Sequence, residues 1–161
     1  MALIDQQNAT IEPFRTWLES AVEASTRFGE PVRVDREDGA TLATRWPAGR
    51  DLFYEVALRP RLPQVRVGVL TDDRFKSEDF EQLIEDSGDT MQEFVELGFE
   101  TAGLEWTEPP VEHYREQQRY FYFATPLDLQ SLDQLADDQV REKVRLMLEG
   151  YYLAFTGMAH A

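Results

Sequence analysis

The chain has 161 residues, of which 31 are acidic and 16 basic, for a formal net charge of -15. That length suits a single domain over 1–161 with a core of its own, and the absence of cysteine excludes disulfides, thiolate metal sites and cysteine nucleophiles. A negative field of this size repels phosphate backbones and anionic lipid surfaces, which argues against nucleic-acid and membrane partners.

Arginine carries nearly all the positive charge, since Lys76 and Lys143 are the only lysines. An acidic, lysine-poor surface resembles that of halophile proteins bathed in molar salt, where a Debye length of about 3 Å at 1 M screens repulsion among carboxylates. A merely acidic mesophilic protein is the alternative. The stretch "MALIDQQNAT" lacks a basic region followed by an apolar core, and no segment approaches the roughly 20 apolar residues of a membrane span. The expected location is the cytoplasm.

In chain order, Ile11, Phe14, Trp17, Leu18, Ala21, Ala24 and Phe28 recur at three- and four-residue spacing, which predicts an amphipathic helix from Thr10 with Pro13 in its first turn. Val32 and Val34 then alternate with charged residues, Asp38-Gly39 signals a hairpin turn, and Leu42, Thr44 and Trp46 resume the alternation. Two further strands follow, "LFYEVAL" with Leu52, Tyr54, Val56 and Leu58 on one face, and "QVRVGVL" with Val65, Val67 and Val69. The result is an antiparallel meander. Ser77 is placed to cap a second helix bearing Phe80, Leu83, Ile84, Met91, Phe94 and Val95, with Gly88 as the point where it can divide. A short strand is expected at Leu104 to Thr107 and a strong one at "RYFYFAT". Ser131 and Gln134 fit a capping box before a long final helix carrying Leu132, Leu135, Val140, Val144, Met147, Leu148, Tyr151 and Phe155, with a restart near Asp137 or Asp138.

The expected fold is therefore α+β, an antiparallel sheet of about five or six strands with an N-terminal, a middle and a long C-terminal helix, in the order α-β-β-β-β-α-β-α. With "LFYEVAL" as central strand, "SEDFEQLIEDSGDTMQEFVELG" as middle helix and "RYFYFAT" as late strand, the order from Thr10 to Met158 resembles the type III secretion chaperone-like fold, including the bacterial sensory transduction regulator family. It differs in having four strands before the middle helix where secretion chaperones usually have three. The resemblance implies a homodimer that binds a polypeptide and catalyses nothing.

Chemistry-bearing motifs are sparse. His113, in "EHYREQQR", reads as a solvated loop residue, and no H-x-x-x-H or H-E-x-x-H pattern supplies a zinc site. There is no G-x-S-x-G elbow, P-loop or G-x-G-x-x-G. "TDDRFKSED" gathers Asp72, Asp73, Glu78 and Asp79 as possible oxygen ligands for a hard cation, but without calcium-loop spacing, and acidic residues at a helix start serve its dipole equally well. No cofactor, metal or catalytic residue is assigned.

The aromatic residues are more informative. With Tyr54 and Phe123 toward the helices, Phe53, Tyr120 and Tyr122 fall on the other side of the sheet, and a face with such rings calls for cover by a twin subunit or a client peptide. A strand sandwiched between helices of its own chain accounts for the same pattern. Trp46, at a strand end, fits either that surface or the core. The leading expectation is a non-catalytic, homodimeric module whose partner surface includes Trp46, Phe53, Tyr120 and Tyr122. The alternative is a small-ligand binder or enzyme with a pocket between the sheet and the C-terminal helix.

Overall fold

The computed structural model describes residues 2–160, and their side chains over 9–159. The valine-rich alternation of the middle sequence is realised as the centre of an antiparallel six-stranded sheet in the order β1-β2-β3-β4-β6-β5. Its strands are β1 (Val32–Asp35), β2 (Leu42–Pro47), β3 (Leu52–Arg59), β4 (Gln64–Thr71), β5 (Glu112–Glu116) and β6 (Tyr120–Asp128). Among the described residues the α-helices are α1 (Ala2–Glu23), α2 (Arg74–Ser87), α3 (Met91–Ala102) and α4 (Asp138–Phe155). The fold is α+β.

Strand register decides which side chains meet the helices. Trp46, Tyr54, Val69 and Phe123 align in one row across β2, β3, β4 and β6, and Val56, Val67 and Thr125 in the next. This face packs on Phe14 and Leu18 of α1, Phe80 and Ile84 of α2, Phe94 and Phe99 of α3, and Val144, Leu148 and Tyr151 of α4. A polar pair at its heart is satisfied internally, Thr125 Oγ1 lying 2.7 Å from Tyr151 Oη.

Several element boundaries depart from the expectation. The first helix begins at Ala2 rather than Thr10, so Pro13 lies inside it and removes one intrahelical donor. Asp73, not Ser77, caps α2, its carboxylate accepting from the Phe75 N–H at 2.9 Å, and Ser77 is buried within the helix. Gly88 does end that helix, in the left-handed conformation at φ 78°, and Thr90 with Glu93 restarts the chain through a reciprocal capping box. Leu104 to Thr107 is not a strand; "EHYRE" is, as the edge strand β5. At the last helix Ser131 makes no side-chain cap bond and opens only a 3₁₀ turn, Leu132–Ala136, while Asp137 caps α4.

The sheet is curled. Edge strands of a flat six-stranded sheet lie about 24 Å apart, yet Arg36, one residue beyond β1, reaches Glu116 at the end of β5 at 3.1 Å. Gly68 contributes to this shape, because a Cβ there would stand 2.3 Å from the Phe123 carbonyl oxygen and 2.7 Å from the Ala124 Cβ. Only glycine lets β4 and β6 approach so closely. The helix-free face is thereby made concave.

Candidate binding cleft on the helix-free face

The side chains of opposite parity build this concave face. Phe53, Leu70, Tyr122 and Tyr114 form one row, Arg45, Glu55, Gly68 and Ala124 the next, and Ala43, Ala57, Arg66 and Pro126 the third. Between the β1–β2 and β5–β6 hairpins, Ala43, Arg45, Glu55, Arg66 and Tyr122 of this face line a cleft of about 850 Å³, and none of its lining residues lies on a helix.

The floor holds charges that would be costly without partners. Glu55 is 3% exposed. Its Oε2 accepts from Arg45 Nε at 2.7 Å, and the Tyr122 hydroxyl accepts from Arg45 Nη2 at 3.0 Å while donating to Glu55 Oε2 at 3.4 Å. Burial pushes the Glu55 carboxyl above its ordinary value, outweighing the opposing pull of the Arg45 and Arg66 guanidiniums. Burial alone would lower the Arg45 pKa, but the Glu55 carboxylate beside it raises it, so the guanidinium stays charged. Burial, reinforced by Glu55, likewise raises the Tyr122 hydroxyl, keeping it a hydrogen-bond donor.

Arg66 occupies the same floor differently. No side chain at Gly68 stands between it and the row of Tyr122 and Tyr114, and its guanidinium reaches these parallel-stacked rings, 5.1 and 5.3 Å from the Tyr114 and Tyr122 centroids. It is 5% exposed. Its nearest carboxylate oxygens, from Glu55 and Glu116, are both 3.9 Å away, beyond hydrogen-bonding range, and its Nε has no partner.

Phe53, Tyr120 and Tyr122 share the helix-free face, whereas Trp46 does not. Trp46 is 1% exposed on the helix side, in the row of Tyr54, with its ring 6.3 Å from that of Phe28, so it belongs to the core. Tyr122 is not a surface ring either, for Tyr114, Arg45 and Arg66 cover it to 1% exposure. Tyr120 is half-buried, with its ring between the guanidiniums of Arg45 and Arg119 at 4.8 and 4.9 Å. Sequence reasoning missed Arg45 and Arg66 as site residues. The available signal was their position in mid-strand, each flanked by residues that turn toward the core.

His113 is a strand residue rather than a loop one. Its ring stacks on Phe123 at 3.9 Å, with Nδ1 2.9 Å from the Tyr122 carbonyl oxygen and Nε2 2.8 Å from Glu81 Oε1, tying α2 to the sheet edge. The acidic loop is used structurally: Asp73 caps α2, Glu78 pairs with Arg74, and Asp72 lies 3.8 Å from Arg119. Among the described residues no group of three or more histidine or carboxylate side chains is arranged to hold a metal ion, and no helix is long and apolar enough to cross a membrane. Val144, Met147, Leu148 and Tyr151 fill the space between sheet and C-terminal helix, so the large cavity is on the opposite face from the one considered for an enzyme. No protein-family model, no curated protein and no solved structure matches the chain.

Proposed function

We propose that the chain is a non-catalytic, chaperone-like binding module of the cytoplasm that works as a homodimer and receives a polypeptide partner in the cleft. The observation that carries this reading is the curled sheet face, free of helices among the described residues and lined with Tyr120, Tyr122, Arg45 and Arg66. Tyrosine and arginine are the side chains that anchor protein partners, joining large contact area to a polar end. The element order, which resembles type III secretion chaperone-like proteins, supports the same reading. An acidic, lysine-poor composition supports a high-salt setting.

The dimer contact we assign to β1. This edge strand is exposed along its length, Val32 and Val34 are 53% and 41% exposed, and its outer backbone groups are available for pairing. Sedimentation should show a dimer whose affinity rises with salt, because self-association brings two chains of net charge -15 together. Val32→Glu, on the same edge strand but outside the cleft lining, should leave a folded monomer. A wild-type chain that sediments as a monomer from dilute to molar salt would overturn the dimer.

The cleft is tested separately. Peptides selected on the wild-type chain from a random displayed library should lose about tenfold or more in affinity for Tyr120→Glu, which places a carboxylate among the cleft residues. Failure to enrich any peptide, or equal binding to the variant, would remove the polypeptide reading. The cavity volume of about 850 Å³ also falls in the range of small-molecule sites, and a small acid that binds where no peptide does would favour that second reading.

A further inference from the structure

On the cleft floor one buried guanidinium makes no hydrogen bond to a carboxylate. Glu55 is matched by Arg45 at 2.7 Å, Glu116 by Arg36 at 3.1 Å, and Asp35 by Arg15 at 2.9 Å. Arg66 stands outside these pairs, more than nine-tenths buried, with an unpartnered Nε and no carboxylate oxygen within hydrogen-bonding distance. Burying a guanidinium without hydrogen bonds is expensive, so its fork is a built but unused binding element.

Resting on the reading of this face as the binding surface, we propose that the cleft floor is a carboxylate subsite in which Arg66 takes one carboxylate of the bound partner. The guanidinium fork matches a planar carboxylate through two parallel N–H bonds. The stacked Tyr114 and Tyr122 rings support the guanidinium and restrict its rotation, so little freedom is lost on binding. The surroundings select the charge. Glu55 and Glu116, each 3.9 Å from Arg66, repel an anion placed there, and they repel a phosphate dianion more strongly than a singly charged carboxylate. Tyr120, half-buried on the wall, flanks whatever the carboxylate is attached to.

Hippurate, an aromatic acyl-glycine that ends as a peptide does, is the probe, with hippuramide as its neutral counterpart, benzoate as a carboxylate without a peptide bond, and phenyl phosphate as the dianion. Titration of the wild-type chain with hippurate should shift the Arg66 Nε–H resonance in a saturable way, and hippuramide should not shift it. Phenyl phosphate should bind more weakly than hippurate. Benzoate binding as well as hippurate would assign the site to free small acids, and hippurate binding better would assign it to a polypeptide terminus; either result keeps the carboxylate. Arg66→Gln should weaken hippurate about tenfold or more, the loss typical of a charged hydrogen-bonding partner, with Arg66→Lys intermediate.

Equal shifts from hippurate and hippuramide would show that the cleft binds without reading charge. That result would overturn the subsite and leave the polypeptide reading standing. An Arg66 resonance unmoved by every carboxylate, or tighter binding of phenyl phosphate, would overturn it outright. These wild-type titrations decide the matter even if Arg66→Gln does not fold.

Discussion

Arg45→Met is expected to destabilise the chain by about 3–5 kcal/mol at neutral pH, because it strands the Glu55 carboxylate in a nearly dry site. In the native chain the Arg45 guanidinium meets that carboxylate at 2.7 Å and also donates to the Tyr122 hydroxyl at 3.0 Å, so one deletion removes both supports. Arg66, at 3.9 Å, is beyond hydrogen-bonding distance of that carboxylate and does not replace the lost bond as it stands. The penalty should depend on pH in a definite direction. Burial already raises the folded-state pKa of Glu55 above the ordinary 4.5, so the native state holds this proton more tightly than the unfolded chain does. Its contribution to stability is therefore most favourable below about 4.5 and falls as pH rises through the window up to the raised folded value. Without Arg45 that window extends further upward. Urea unfolding of variant and wild type across pH should show the gap narrowing in acid and widening toward neutrality. A second change, Glu55→Leu, should recover most of the loss by removing the stranded charge. A pH-independent gap of less than about 1 kcal/mol would mean that Glu55 is solvated, contrary to its 3% exposure.

Trp46→Ala is expected to cost a similar amount, about 3–5 kcal/mol, as the removal of a large ring from a closed core. The indole is 1% exposed, stands beside Phe28 and pairs across strands with Tyr54. Its Nε1 has no hydrogen-bond partner, so its contribution is packing alone. Trp46→Phe should accordingly cost markedly less, since it keeps an aromatic ring and removes a buried donor. Thermal or urea unfolding distinguishes these outcomes. A residue of the partner surface would behave oppositely, with unchanged stability and weakened association.

Much of the architecture was legible from local patterning. The strands β2, β3, β4 and β6 announce themselves because their helix-facing positions carry an apolar or aromatic residue at nearly every second place, which writes a two-residue period into the sequence even where both faces are buried. The helices α1 and α4 do the same with their three- and four-residue spacing. The strand β5 escaped because both its faces are largely polar: as an edge strand it packs by ring stacking of His113 on Phe123 and Tyr114 on Tyr122, which leaves no apolar alternation to read. Ser77 resembled a helix cap only because capping residues are common along "TDDRFKSED", and the choice fell to Asp73, whose extended backbone aims its carboxylate at the Phe75 N–H. Trp46 was ambiguous for a similar reason, because its place at a strand end does not specify a face until the register with Tyr54 is set.

By itself the sequence determined the α+β class, the acidic and cysteine-free chemistry, and the assignment of Phe53, Tyr120 and Tyr122 to the sheet face away from the helices. Those are consequences of composition and of periods of two and 3.6 residues, which act over a few neighbours. Only the tertiary structure decided that this face curls into a cleft and that Arg45, Glu55, Arg66 and Tyr122 converge on its floor. The reason is physical: pairing Arg45 with Tyr122, 77 residues apart, depends on strand order and on a close approach at Gly68, neither of which local spacing encodes.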